Sequence, residues 1–207
     1  SSSARLLELD PLHHFVRAEA YLAAPGPNTL SAFMNGLRSE FPDQTVLELA
    51  IAYTNRGLFG DATALLTGAG ATLRNPILRA WLAYLKRDTG ALAPPADVKF
   101  VFPYRLETLP VLSWAAKQNS HWSWSYLLAL NLWAFDRRDE AERLLQPMGN
   151  APTEPAFYVS RAFLIEKGGG DPEPDLRHAD QLAGRDRPLH LPLIQYYQSR
   201  GRWADAL

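Results

Sequence analysis

The stretch TVLELAIAYTNRGLFGDATALL, residues 45–66, decides the fold of this 207-residue chain. Its apolar residues recur at intervals of three and four, which is the spacing of one face of a helix. The pattern breaks at Asn55-Arg56-Gly57 and then resumes. Glycine is favoured where a helix ends in a left-handed residue, so Gly57 marks the end of a first helix. The stretch therefore predicts two short antiparallel helices joined by a tight turn.

The same stretch resembles the consensus of the tetratricopeptide repeat, a unit of about 34 residues that contains two helices. With Ala62 at the second small-residue position of that consensus, Ala50 falls at the first one. Small side chains at both positions let the two helices approach closely, so we expect both alanines to be buried. Tyr53, Gly57 and Phe59 also take consensus positions, and the two aromatic side chains are expected to fill the space beside the helix contact.

Weaker copies of this frame occur later in the chain. Residues 122–145 place Ala129 and Ala141 at the two small positions, and Asp136 replaces the turn glycine. A third copy begins near residue 187 and has Gly201 at its turn. The recurrence predicts further helix pairs of the same kind.

A shift of 79 residues also brings Pro76 onto Pro155 and Ala62 onto Ala141. The unit of duplication is therefore two repeats with an insertion. We predict an all-α fold, a right-handed superhelical stack of antiparallel helix pairs that forms a tetratricopeptide-like α-solenoid. Residues 1–207 are expected to form a single helical repeat domain, and the end of the chain inside a predicted helix suggests a fragment of a longer protein.

The remaining helices fit with these copies of the frame, and one segment does not belong to the pattern. An N-terminal helix is predicted to open at Asp10-Pro11, an N-cap followed by a proline. The segment TGALAPPADVKFVFPYR, residues 89–105, is too long for a tight helix turn, and its end is too apolar for a solvated loop. We expect residues 98–102 to lie extended against the helices.

Several phrases go beyond the generic repeat. They are DPLHHFVRAEAYL at residues 10–22, FPYRLETLPVLSWA at 102–115, HWSWSYLLALNLW at 121–133 and APTEPAFYVSRAFL at 151–164. Together they resemble the repeat region of large bacterial proteins that carry an uncharacterised β-rich domain ahead of tetratricopeptide repeats. The resemblance implies that any chemistry of the full protein belongs to that other domain, where a link to carbohydrate processing is one possibility.

Composition excludes several classes of function. The chain has 21 basic and 22 acidic residues, so it lacks the positive field that nucleic acid binding requires. No apolar run approaches the roughly 20 residues of a membrane-spanning helix. There are no cysteines, which excludes thiol catalysis and thiolate metal sites but leaves the compartment open.

No catalytic, cofactor or metal site is predicted. His13 and His14 are adjacent, and neighbouring side chains on a helix point about 100° apart, so the two do not easily share one ion. Nucleophile-elbow, phosphate-loop and dinucleotide-binding glycine patterns are missing from the sequence. We therefore expect a protein without enzymatic activity.

Candidate binding residues come from the repeat frame, in which certain positions of the first helix line the concave face. In two copies of the frame these positions hold Gln44, Leu47, Ile51, Ser123, Tyr126, Leu130 and Trp133. Chaperone-binding repeats carry lysine and asparagine at two of these positions to hold a peptide carboxylate, and this chain has apolar or aromatic residues there instead. The predicted surface is apolar and aromatic.

The leading hypothesis is an interaction or scaffold module that docks a protein or peptide segment, or that supports another domain of the same chain. The alternative is a carbohydrate-binding or carbohydrate-processing helical domain that uses aromatic side chains as sugar platforms. Trp122 and Trp124 are expected to be structural. For Tyr126 and Trp133 the sequence leaves groove and core equally open, and a groove position predicts that serine at both sites leaves stability nearly intact.

Overall fold

The computed structural model describes residues 13–37, 41–70, 74–95, 97–99 and 101–206. These residues form eleven α-helices and no strand, which confirms the predicted all-α class. The longest of the described helices has 14 residues, too few to cross a bilayer, which takes about 20. The cap predicted at Asp10-Pro11 lies outside the described residues, and the first described helix begins at His14.

The chain divides into two compact units, Ser1–Ala93 and Pro94–Leu207. The described helices of the first unit are α1 (His14–Ala23), α2 (Pro27–Gly36), α3 (Pro42–Asn55), α4 (Phe59–Gly70) and α5 (Pro76–Lys86). In this unit α1 packs on α2, α3 on α4, and α4 on α5. Prolines are the first residues of α2, α3 and α5. Proline is suited to this position because a backbone N–H there would have no hydrogen-bond acceptor within the helix.

The described helices of the second unit are α6 (Thr108–Gln118), α7 (Trp122–Ala134), α8 (Arg138–Leu145), α9 (Pro155–Lys167), α10 (Glu173–Ala183) and α11 (Leu191–Ser199). Successive helices pack on one another from α6 through to α11. Both units therefore consist of adjacent helix pairs, as the repeat frame predicts. That the two units together form one domain stays a prediction.

The turn residue of each predicted repeat has left-handed backbone geometry. The φ angles are +76° at Gly57, +59° at Asp136 and +70° at Gly201. Aspartate is one of the few other residues that visit this region, because its short polar side chain bonds locally. The three copies of the frame therefore end their first helices in the same way, and the predicted role of Gly57 is confirmed.

The small residues of the frame are buried as predicted. Ala50, Ala62, Ala129 and Ala141 each have 0% exposed surface. Phe59 is different: its side chain is 56% exposed, so the prediction that it fills space beside the helix contact is wrong. The reason is local, because all residues from 55 to 60 are exposed and Phe59 stands in the first turn of α4, at the surface of the unit.

Substitution of Gly57 by alanine is expected to lower the free energy of unfolding by about 1–2 kcal/mol, the cost of a left-handed conformation for a residue with a Cβ. Gly60 is the matched control, since it lies three residues away inside α4 with no atom near an added Cβ. Gly60→Ala should raise stability by about 0.5–1 kcal/mol through helix propensity. Urea unfolding of both variants checks this, and equal shifts of the same sign would show that the turn geometry is wrong.

Candidate binding groove

A groove of about 470 Å³ lies in the second unit, with walls from α7, α9, the segment before α6 and the start of α11. We call it the α7–α9 groove. Its lining residues are Lys99, Phe102, Pro103, Tyr104, Tyr126, Leu130, Trp133, Ala134, Ala156, Val159, Ser160, Phe163, Leu189 and Pro192. Apolar and aromatic side chains dominate this lining, so its chemistry suits an apolar ligand.

The first wall is one face of α7. The residues of this wall lie on one side of the helix, because most of them are three or four positions apart. They are Tyr126, Leu130, Trp133 and Ala134. Nine residues of α7 are buried, because the helix is also packed against α6 and α8. An almost wholly apolar helix is needed for such a position between neighbours.

The second wall is a face of α9 made of Ala156, Val159, Ser160 and Phe163. A hydrogen-bonded cluster joins it to α7, with the Tyr126 hydroxyl 3.1 Å from Ser160 Oγ and 3.3 Å from the carbonyl oxygen of Ala156. Ser160 Oγ also donates to that carbonyl, at 2.9 Å. Burial raises the pKa of Tyr126 to about 12, so its hydroxyl keeps the proton that it donates.

The third wall is the irregular segment that precedes α6. Asn131 of α7 holds it by donating from Nδ2 to the carbonyl oxygens of Pro103 and Arg105, at 3.2 and 3.1 Å. Val98 is 2% exposed, as expected for a segment that lies against the helices, but Phe102 is 66% exposed. The predicted extended conformation of residues 98–102 is wrong, because the backbone turns here and the Val101 amide donates to the Val98 carbonyl oxygen at 3.3 Å. The predicted packing against the helices holds at Val98 and is wrong at Phe102, which lines the groove, and residue 100 lies outside the described residues.

The charged groups at this wall neutralise each other. Lys99 forms an ion pair with Asp186, which follows α10. The hydrogen bond to this carboxylate raises the pKa of Lys99, so the ammonium stays charged at neutral pH. Lys99 is the charged side chain in the groove lining, and its partner cancels that charge. The charge of the lysine in the lining is therefore paired within the protein.

His190 fixes the wall segment that carries Leu189. Its Nδ1 lies 2.6 Å from Asp180 Oδ1, and its Nε2 lies 3.2 Å from the carbonyl oxygen of Gly184. Both partners accept hydrogen bonds, and only the imidazolium has two N–H groups to donate. The bond to Asp180 accordingly raises the pKa of His190.

An aromatic cluster supports the groove from behind. The ring of Phe157 lies 5.6 Å from Tyr126 and 5.8 Å from Trp122, measured between ring centres. Trp124 has 0% exposed surface, as its predicted structural role requires. Tyr158 donates from its hydroxyl to the carbonyl oxygen of Pro152 at 2.6 Å. The two contacts of Phe157 join α9 to α7 behind the groove.

A buried ion pair anchors the far side of α9. Arg161 donates from Nε and Nη2 to the two carboxylate oxygens of Asp175, at 2.7 and 2.6 Å. Its remaining nitrogen donates to the carbonyl oxygen of Gly149 at 2.8 Å. The guanidinium therefore joins α9, α10 and the turn after α8 in one bidentate arrangement.

Three of the residues predicted from the frame meet in this groove: Tyr126, Leu130 and Trp133. Ser123 does not line it, because its Oγ lies 2.7 Å from His121 Nδ1 at the start of α7. Gln44, Leu47 and Ile51 belong to α3 in the first unit, where Gln44 is exposed. That all of these residues contact a partner stays a prediction.

The concave-face assignment implies that these residues are exposed to solvent, and this prediction is wrong for several of them. Ile51, Ser123 and Tyr126 are each 1% exposed, Leu47 is 6% exposed and Leu130 is 7% exposed. In the first unit the cause is packing, because α5 lies against α3. For Tyr126 it is the cover given by α9 and its aromatic cluster. Serine at Tyr126 is therefore not expected to leave stability intact.

Sequence reasoning missed the residues of the other two walls, above all Phe102, Ser160 and Phe163. One signal was present for Ser160, which lies 34 residues after Tyr126 and forms a hydrogen bond with it. The same interval separates Glu19 from Tyr53, whose hydroxyl donates to the carboxylate at 2.7 Å. A 34-residue interval is one repeat, so adding it to a predicted position indicates the neighbour across the groove.

The helix pairs, left-handed turn residues and buried alanines define an all-α helical-repeat fold of the tetratricopeptide type. No protein-family model matches the chain, and no curated protein matches it. It is similar to a solved structure described as "MamA MSR-1 C2", with 18% identity over 84% of this chain and 97% of that chain, at a TM-score of 0.40. Similarity at this level assigns no function, so the groove is interpreted from its own geometry.

Proposed function

We propose that this chain is a non-catalytic protein-interaction module that binds an apolar protein segment in the α7–α9 groove. The observation that carries the proposal is the exposure of large apolar side chains around the groove. Phe102, Tyr104 and Phe163 are 66%, 43% and 44% exposed, and all three line it. Exposed apolar groups gathered in one place mark a binding surface, whereas isolated ones are ordinary.

The chemistry of the groove supports an apolar protein segment, and the groove is large enough to hold a ligand. Its volume of about 470 Å³ lies within the range of roughly 300–1,000 Å³ typical of ligand pockets. Aromatic side chains contribute large contact areas at interfaces and dominate their binding energy. The segment belongs to a separate partner, or to the other domain that the resemblance to large bacterial proteins implies, and both present the same chemistry to the groove.

Carbohydrate binding is the weaker hypothesis. A sugar needs hydrogen-bonding groups beside the aromatic platform, because its hydroxyls lose water on binding. At this groove the Tyr126 hydroxyl and Ser160 bond to each other and to the Ala156 carbonyl. The polar atoms of that wall are thus already satisfied by the protein.

The test uses a random 12-residue peptide display library panned against the whole chain. Peptides are expected to bind, and Phe102→Ser and Phe163→Ser should each weaken the selected peptides at least tenfold, an affinity change of about 1.4 kcal/mol. Phe59→Ser is the matched control, since Phe59 is similarly exposed at 56% but lies in the first unit. All three variants replace exposed side chains, so thermal melts should change little.

Two results would contradict the proposal. One is a library that yields no peptide, and the other is a set of peptides weakened equally by the control. Binding on a glycan array that is lost in Phe163→Ser would instead favour the carbohydrate hypothesis.

A further inference from the structure

The two units share a sequence duplication, which allows the walls of the groove to be compared with the corresponding helices of the first unit. The 79-residue shift brings Pro76 onto Pro155, and these prolines are the first residues of α5 and α9. It also brings Ala83 onto Ala162, and both alanines are 0% exposed. The two helices therefore match in register as well as in sequence, and residues can be compared position by position.

At one position the duplicates differ greatly in size. The residue of α5 that corresponds to Ser160 is Trp81. Trp81 is 3% exposed, so in the first unit a large indole fills the interior at this point. In the second unit a serine stands there and lines the groove. The α7–α9 groove thus has a small side chain at a position where the duplicate carries a buried tryptophan.

The residues opposite change only partly to compensate. Leu47 and Ile51 of α3 correspond to Tyr126 and Leu130 of α7. Tyr126 is the larger member of its pair, and its hydroxyl reaches Ser160 at 3.1 Å. A groove of about 470 Å³ nevertheless persists, roughly three times the ~150 Å³ of an apolar cavity that binds benzene.

We propose that the groove binds a peptide segment through one large aromatic side chain, tryptophan or phenylalanine, that is seated over Ser160. The partner then supplies in trans the aromatic group that Trp81 supplies within the first unit. This inference rests on the proposed function and narrows it to one class of partner sequence.

The decisive variant is Ser160→Trp, which places in the second unit the residue that its duplicate already accommodates. Aromatic-containing peptides selected from the 12-residue library should lose at least tenfold in affinity. Ser120→Trp is the matched control, because it adds the same side chain at an exposed serine of the second unit that does not line the groove, and it should bind within twofold of the parent chain. Circular dichroism and thermal melts establish that both variants are folded.

The wild-type chain gives an independent measurement if Ser160→Trp does not fold. N-acetyl-tryptophanamide should shift the resonances of groove residues at concentrations at least tenfold lower than N-acetyl-leucinamide. Equal concentrations for the two probes would overturn the aromatic anchor.

The outcomes separate this inference from the proposed function. Selected peptides that lack aromatic residues but still depend on Phe163 would overturn the anchor and leave the interaction module standing. Aromatic peptides whose affinity is unchanged in Ser160→Trp would also overturn it. A library that yields no binding peptide would remove the proposed function, and the anchor with it.

Discussion

Arg161→Met is expected to lower the free energy of unfolding by about 3–5 kcal/mol, the usual cost of breaking a buried ion pair from one side. The side chains of Arg161 and Asp175 are 9% and 10% exposed. Removal of the guanidinium leaves the Asp175 carboxylate buried without its bidentate donor, and the Gly149 carbonyl loses a hydrogen bond as well. Denaturant unfolding monitored by circular dichroism measures the loss.

Arg143→Met is the matched control, because Arg143 is exposed and donates only to the carbonyl oxygen of Asp139 in its own helix. It should change stability by no more than about 0.5 kcal/mol. The double variant Arg161→Met with Asp175→Leu should recover much of the lost stability, since apolar residues often replace a buried pair at little cost. If Arg161→Met alone is as stable as Arg143→Met, the buried ion pair between Arg161 and Asp175 is contradicted.

Tyr126→Ala is expected to cost about 3–5 kcal/mol, as for other large aromatic side chains that are removed from a core. Tyr126 is 1% exposed, contacts the Phe157 ring and bonds to Ser160. Trp133, seven residues along the same helix, is only half-buried, so Trp133→Ala should cost about 1 kcal/mol.

The pair of variants therefore separates the supporting part of the groove wall from its accessible part. Unfolding midpoints in urea measure the difference. Equal losses would mean that both residues are core or that both are surface, and either result would contradict the geometry of the groove.

Much of the fold was predictable because the same sequence pattern occurs in several copies, and each copy has the same structural requirements. Gly57, Asp136 and Gly201 share a left-handed turn, and the frame placed all three at the same position. The buried alanines followed from the close approach of paired helices. Phe59 was mispredicted because a consensus describes a repeat inside a stack, and at this turn the surface of the unit is open to solvent.

The binding groove was only partly predictable. The frame identified Tyr126, Leu130 and Trp133, since these depend on the period of one helix. It did not identify Phe102, because an irregular segment has no periodicity and this one is held by Asn131 from a distant part of the sequence. It also placed Leu47 and Tyr126 on an exposed face, whereas both are buried, because α5 packs against α3 and Phe157 of α9 packs against Tyr126.

The hydrogen bond between Tyr126 and Ser160 has a consequence for cooperativity. In repeat proteins each unit touches mainly its neighbours, so stability resides in the interfaces between them, and single repeats can open locally. The contact spans one 34-residue interval, so it belongs to such an interface. A segment bound across α7 and α9 would add contacts that exist only while the two repeats are closed. Binding in the groove would therefore stabilise the closed interface between the two repeats, and a more stable interface would in turn strengthen binding. Slower amide hydrogen exchange in both helices when the groove is occupied would report this effect.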